Sequence, residues 1–400
     1  MEISLLFREM FHLNIKPSKR MAIFSPAIFG QLKIAANKKR AEGETVIDLS
    51  LGSPDIAPAP IIRKTLATAS ENPAMYGYTL SGTERFNKAV ANYYQRRSNV
   101  NLDPNTEILQ TMGSQEGLVH LPLAFCNEGD IVLTTNPAYI AYDTGIKLAG
   151  AEPYYMPLQA KNNFLPNLNA IPENIAQKAK ILILNLPGNP VPASPSEAFF
   201  EEVVSFAKKY NIIVLHDAAY SEYYFTGNGP ISFLATPGAK EVGLEINSLS
   251  KSFSLAGARI AYIVGNTEAI RIISELKSNL DYGIFAPIQE AAATALDHAE
   301  EITDRLRKIF SERHQILMNG LEELGWEVTH SNGGMFIWAK YPYNLDDKEF
   351  VFKAIEQVGV VMIPGSIFGT EGKGFVRIAL VQNAESLQLA IEKLKKLKMS

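Results

Sequence analysis

The stretch ILILNLPGNPVPASPSEAFFEEVVSFAKKYNIIVLHDAAY, running from Ile181 to Tyr220, decides the fold class. It opens on four apolar residues, Ile181-Leu182-Ile183-Leu184, and a second apolar run, Ile212-Ile213-Val214-Leu215, comes near its end. Runs this short and this uniformly apolar predict strands buried on both faces, as in parallel sheets. Between them, Ser194-Pro195-Ser196-Glu197 predicts a helix start, with Ser194 as N-cap, Pro195 at the first helical position and Glu197 completing a capping box. Phe199, Phe200, Val203, Val204, Phe206 and Ala207 then form one apolar helical face that ends near Tyr210-Asn211.

Working outward, Ile131-Val132-Leu133 and Ile260-Ala261-Tyr262-Ile263-Val264 repeat the strand pattern on either side. The expected fold class is α/β, with a mainly parallel central sheet and helices on both faces. From about residue 285 the texture changes to long helical patterns around Arg305 to Leu324, a Gly333-Gly334 turn and a strand-like Met335-Phe336-Ile337-Trp338. This reads as a smaller α+β domain at 286–400, beside a large domain at 51–285. Residues 1–50, helical from Phe24 to Arg40, are expected to pack with the small domain.

Composition narrows the function classes. Charged residues make up 20% and the net charge is −4, so no cationic excess points to nucleic acid or acidic lipid as a partner. The single cysteine, Cys126, excludes an intramolecular disulfide framework and a multi-thiolate metal site, and suggests a reducing, cytoplasmic setting. The opening run Leu5-Leu6-Phe7 is broken by Arg8 and Glu9, unlike a secretory signal, and no later run is apolar enough to span a bilayer. Residues before Ser18 read as a tail, with Met10 and Met21 as alternative starts.

Chemistry concentrates at the ends of the predicted strands. In Ser248-Leu249-Ser250-Lys251-Ser252-Phe253-Ser254-Leu255-Ala256-Gly257-Ala258-Arg259, a lysine lies close to hydroxyls and a guanidinium. A lysine that forms an imine must lose its proton, which nearby positive charge or a partly dry pocket favours. The hydroxyls of Ser248 and Ser250 and the donor fork of Arg259 suit a phosphate dianion. The segment fits a phosphorylated aldehyde; by itself it also reads as a solvated loop with surface Lys and Arg.

Asp217, in His216-Asp217-Ala218-Ala219-Tyr220, follows a buried strand at the edge where ligands of open α/β sheets bind. It can keep a pyridine nitrogen protonated and make the ring an electron sink, and Tyr220 can donate to the ring's phenolic oxygen. A turn-forming or capping aspartate is the other reading. Asn189, in Asn185-Leu186-Pro187-Gly188-Asn189-Pro190, is an amide on a proline-stiffened loop that can bond the same oxygen, or a plain turn. Ser114 and Gln115, in Met112-Gly113-Ser114-Gln115-Glu116-Gly117, open a helix and offer backbone N–H groups to a phosphate. Tyr139 offers an aromatic face to stack on the ring, unless it is a core residue.

In this order the pieces resemble the fold type I, class I and II aminotransferases, from about Ser18 to the C-terminus. The resemblance implies pyridoxal 5'-phosphate as cofactor, carried by Lys251 as an imine. Ser-x-Ser-Lys and Arg259 match the cofactor lysine and phosphate arginine, Asp217-x-x-Tyr220 the pyridine-nitrogen aspartate and ring-oxygen tyrosine, and Asn189 the ring-oxygen asparagine. Tyr139 matches the stacking aromatic, and Ser114-Gln115 the phosphate-binding helix start. Gly374-Phe375-Val376-Arg377-Ile378-Ala379-Leu380 is similar to the segment whose arginine grips the substrate α-carboxylate, and Gly52 to the glycine whose backbone touches it. Gly113 to Gly117, His216 to Glu222 and Lys277 to Gly283 resemble the LL-diaminopimelate aminotransferase-like branch.

The implied reaction is ping-pong transfer of an amino group from an L-amino acid to a 2-oxo acid, with Lys251 moving the Cα proton. The implied assembly is a homodimer with its active sites at the interface; Tyr78 corresponds to a phosphate ligand donated across it, and Asp281 and Tyr282 to further donated residues. Three departures stand out: Asn189-Pro190-Val191-Pro192 where the family has Asn-Pro-Thr-Gly, Ala258 where it has an aromatic, and Tyr78 one residue closer to Gly82 than expected. Two rival functions share the fold: a carbon–sulfur β-lyase, and a non-catalytic regulator carrying this fold beside a DNA-binding module. For the latter the chain leaves no room for a helix-turn-helix.

Overall fold

The computed structural model describes residues 15–24, 28–227, 229 and 231–398. The Leu5 to Glu9 stretch and Met10 lie outside the described residues. The large sheet has 7 strands: β1 (Ile108–Thr111), β2 (Ile131–Asn136), β3 (Glu152–Pro157), β4 (Ala179–Leu184), β5 (Ile213–Asp217), β6 (Gly243–Ser248) and β7 (Ala261–Gly265). They lie in the order β1-β7-β6-β5-β4-β2-β3.

The quoted stretch forms the middle of this sheet. Ile181 pairs with Ile213 and Leu184 with His216, both strands running the same way. Alternate residues feed opposite apolar layers. Leu182, Leu184 and Val214 join Phe199, Phe200 and Val203 of the helix Glu197–Tyr210, whereas Ile181, Ile183 and Leu215 join Leu118, Leu121 and Ile146 on the other face. Two buried faces per strand are what an apolar run without polar alternation requires.

Two details differ from the sequence expectation. The helix is capped by Ser196, whose hydroxyl accepts the Phe199 amide at 3.2 Å, and not by Ser194. Pro195 lies outside the helix, and Ser196 keeps the extended backbone that an N-cap needs. The second correction concerns Ala261–Gly265, which is not parallel: it runs antiparallel to both β6 and β1. The link after β6 is spent on two short turns, Leu249–Ser252 and Ala256–Ala258, at the edge where β6 ended, so the chain re-enters the sheet from that edge.

A smaller antiparallel sheet follows, formed by β8 (Glu327–Val328), β9 (Phe336–Lys340), β10 (Ile363–Pro364) and β11 (Phe375–Ala379) in the order β10-β11-β9-β8. Ile47–Asp48 pairs in parallel with Val360–Val361, and the helix Ile28–Ala41 packs on Asp347–Val358. The strand ends of the large sheet therefore face a wall built from residues near both chain termini.

Candidate active site

The topology brings distant residues to one edge. β1, β4, β5 and β6 all point their carboxyl ends there, delivering Gly113-Ser114, Asn185, Asp217 and Ser248. Because β7 runs the other way, its amino end and the preceding Arg259 reach the same edge. A parallel β7 would carry Arg259 to the opposite side of the sheet. Together with Gly52 and Arg377, Ser114, Asn185, Asp217, Ser248 and Arg259 line a cavity of about 240 Å³, whose walls also include Gln115, Tyr139, Asn189, Tyr220, Ser250 and Lys251.

Lys251 lies within the short turn Leu249–Ser252 that Ser248 caps, where the Ser248 hydroxyl accepts the Ser250 amide at 3.1 Å. The Tyr223 hydroxyl donates to the Lys251 carbonyl at 2.8 Å, and the Lys251 ammonium donates to the Gly52 carbonyl. Burial, helped by the charges of Arg377 and Arg259, lowers its pKa to about 8. No carboxylate forms an ion pair with it among the described residues. An amine held this way is easily made neutral and nucleophilic.

Asp217 is 4% exposed, and burial raises its pKa even though the Tyr142 hydroxyl at 2.8 Å and the Ala219 amide at 3.2 Å donate to it. Its side chain reaches the cavity without an ion-pair partner among the described residues. A cationic ring nitrogen would remove that cost.

Arg377 shows the opposite deficit. Its guanidinium is buried between the rings of Phe336 and Phe368, at 4.4 and 5.1 Å from their centroids. It donates to Asn189 Oδ1 at 2.8 Å and to the Ser50 carbonyl, both neutral acceptors, and its Nε has no partner. Burial lowers its pKa to about 10. A buried guanidinium with no carboxylate and a spare donor is built to receive one.

The end of the cavity at Arg259 is equally specific. Arg259 has φ 55, a left-handed conformation that costs about 1 kcal/mol for a side chain with a Cβ. That conformation lays its guanidinium against Gly113, where an added Cβ would come within 2.2 Å of Arg259 Nη2. Only glycine, here at φ 80, lets the arginine close over the start of the helix Ser114–Phe125. The Tyr139 hydroxyl reaches Gln115 Oε1 at 3.4 Å, which places the ring beside that helix start.

Every residue expected at the site lies in the cavity except Tyr78, which is 84% exposed and packs against the tilted ring of Tyr282 with centroids 5.0 Å apart. Asp281 is held by Lys277 at 2.7 Å, also outside the cavity. Sequence reasoning missed Asn185 and Tyr142. Asn185 donates to the Asp217 carbonyl at 2.7 Å and accepts the Asn189 amide at 2.8 Å, so it ties two strand ends together. Its position directly after β4 was the available signal; for Tyr142 the signal was its place one helical turn beyond Tyr139.

Fold and constellation together define the class I and II aminotransferases, and this chain belongs to that family, which it matches over residues 44–394. An LL-diaminopimelate aminotransferase from Aquifex aeolicus is 42% identical to it over 384 residues, spanning 96% of this chain and 99% of that one. Among solved structures, substrate-bound BacF from Bacillus subtilis matches with a TM-score of 0.93 at 36% identity, covering 97% of this chain and 99% of that chain. A probable N-succinyldiaminopimelate aminotransferase from Thermus thermophilus matches with a TM-score of 0.88 at 34% identity, covering 93% of this chain and 100% of that chain. The chain is thus an enzyme of the transaminase class.

Proposed function

We propose that this aminotransferase uses pyridoxal 5'-phosphate on Lys251 to move the amino group of an L-amino acid to a 2-oxo acid, with LL-diaminopimelate as donor. The observation that carries the reading is a pair of unmet charges that share one cavity with a lysine. Asp217 lacks a cation, Arg377 lacks a carboxylate, and Lys251 lines the same cavity with a lowered pKa.

Ser114, Gln115, Ser248, Ser250 and Arg259 would hold the phosphate, Tyr139 would stack on the ring, and Asn189 and Tyr220 would bond its oxygen. When bound, the cofactor supplies an aldehyde and a protonated ring that draws electrons from the substrate Cα. Asp217 keeps the proton on the ring nitrogen. Arg377 grips the α-carboxylate as a bidentate partner, Gly52 contributes backbone beside it, and the Lys251 amine takes the Cα proton and returns it elsewhere as a general base and acid.

An aromatic and aliphatic patch supports a homodimer in which Tyr78, Asp281 and Tyr282 serve the partner's cavity. Tyr76, Tyr78, Leu80, Leu280, Tyr282 and Phe285 are all at least 39% exposed and are tied together by the Tyr78–Tyr282 and Tyr76–Phe285 ring pairs. The reading divides the chain into a large cofactor domain at 51–285 and a small domain at 286–400 with residues 1–50 packed on it, which the pairing of Ile47–Asp48 with Val360–Val361 supports. The lone, half-buried Cys126 supports a reducing, cytoplasmic setting. No helix among the described residues is long and apolar enough to cross a membrane.

The donor assignment draws on the names of the relatives and is tested by a panel. LL-diaminopimelate, L-glutamate, L-aspartate, L-phenylalanine and L-methionine are each offered with 2-oxoglutarate or pyruvate. The highest kcat/KM is expected for LL-diaminopimelate with 2-oxoglutarate; a hundredfold preference for another donor would replace that substrate and leave the reaction class standing.

A further inference from the structure

The histidine immediately before Asp217 has no part in the chemistry above, yet it is 1% exposed and fully engaged. His216 Nδ1 faces Glu245 Oε2 at 3.0 Å, and Nε2 faces the Leu186 carbonyl at 3.0 Å. A carbonyl can only accept. Glu245 is held as an anion by three further donors: the Tyr94 hydroxyl at 2.7 Å, the Ser232 hydroxyl at 3.0 Å and the Phe233 amide at 3.0 Å. An imidazole with an obligate acceptor at each nitrogen needs a proton on both.

We propose that His216 is a standing imidazolium acting as a positioning residue: its Nε2–H anchors the Leu186 carbonyl and thereby fixes the loop that presents Asn189 to Arg377. The chain of contacts is continuous. Glu245 orients His216, His216 holds Leu186, the Asn189 amide donates to Asn185 Oδ1 at 2.8 Å, and Asn189 Oδ1 receives Arg377 Nη1 at 2.8 Å. The proposal rests on the reading of Arg377 as the carboxylate grip. Its Glu245 partner is fixed by the sheet itself, since His216 and Glu245 are register neighbours on β5 and β6.

The surroundings favour the charged ring. Burial alone lowers the pKa of His216, but the Glu245 bond and charge, the Leu186 carbonyl and the Asp217 charge more than offset it, and the net shift is upward. Asp217 turns to the opposite layer, where it takes the Tyr142 hydroxyl. From the helix Glu84–Ser98, Tyr93, Tyr94 and Arg97 face His216 across a cavity of about 30 Å³ that Glu222 also lines. The Glu222 charge is taken up by Arg97 at 3.1 Å and Arg307 at 2.9 Å, which leaves Glu245 as the carboxylate on the ring. Phe200 and Phe233 close the remaining sides with rings 5.2 and 6.4 Å away.

The first test is NMR of the holoenzyme carrying isotope-labelled histidine, in which both ring nitrogens of His216 should stay protonated through the pH range in which a free imidazole loses its proton. One bare nitrogen in that range overturns the imidazolium. The second test is Glu245→Gln, in which the Phe233 amide still demands an oxygen facing it, so a neutral imidazole can serve only one of its two acceptors. With the fastest donor of the panel, the amino-acid KM of this variant should rise about fivefold to tenfold between about pH 6 and about pH 8.5, the worth of one hydrogen bond, while wild type shows no such rise and kcat moves less. A KM that tracks wild type at every pH overturns the positioning role. Arg377→Gln, assayed on the same donor, separates the two readings: an unchanged KM there removes the carboxylate grip, whereas the NMR result stands apart from it.

Discussion

Arg377 is surrounded by neutral acceptors and two aromatic faces, so its charge is balanced only when an anion enters. Replacing it with glutamine would remove the proposed bidentate, charge-assisted contact, and KM for the amino acid should rise roughly tenfold to a hundredfold in steady-state assays. Because both ground and transition states would use the proposed grip, kcat should fall less. Lys251 carries a pH signature of its own. Its pKa is lowered to about 8, so the amine is neutral above that pH and cationic below it. Loading of the apoprotein with pyridoxal 5'-phosphate, followed by absorbance, should slow by about tenfold for each pH unit below about 8. A loading rate flat down to about pH 6 would mean that the amine is not the group being captured.

At the element scale, the helix Glu197–Tyr210 gives the cleanest stability prediction. Ser196→Ala removes the cap on Phe199 and should cost about 1 kcal/mol in urea unfolding, whereas Ser194→Ala should cost close to nothing. The reverse ranking would restore the cap position that the sequence pattern suggested. The strands β2, β4 and β5 were legible because each contains a short uninterrupted apolar run; β1 and β6 were not, because Gln110 and Glu245-Ile246-Asn247 mix polar groups into buried strands, and β3 was not, because it is a largely exposed strand at the sheet edge. Gln110 Nε2 and Glu245 find partners far away in the chain, at the Thr79 carbonyl and the Tyr94 hydroxyl, and periodicity cannot see them. The direction of β7 was hidden for a similar reason. An apolar strand looks the same in either sense, and only the short edge-bound link before it sets the sense.

At the scale of the whole molecule, the site was more legible than the sheet that builds it. Lys251, Asp217, Asn189 and Arg259 sit in local contexts that already suggest chemistry, while Asn185, Tyr142 and His216 acquire their roles only when strand ends meet. The exposed patch around Tyr78 and Tyr282 carries the assembly prediction: sedimentation should give twice the chain mass, and Tyr282→Asp should shift the protein toward single chains with loss of turnover. Full activity in a single-chain wild-type protein would refute the shared site. The proposed reaction turns on one bond, between the cofactor aldehyde and Lys251. Borohydride reduction of the holoenzyme fixes that bond, and peptide mass mapping then reads its position. One modified lysine is expected, Lys251, with no modification at that peptide in Lys251→Ala; a label on any other lysine, or none in a catalytically active wild-type enzyme, contradicts the assignment.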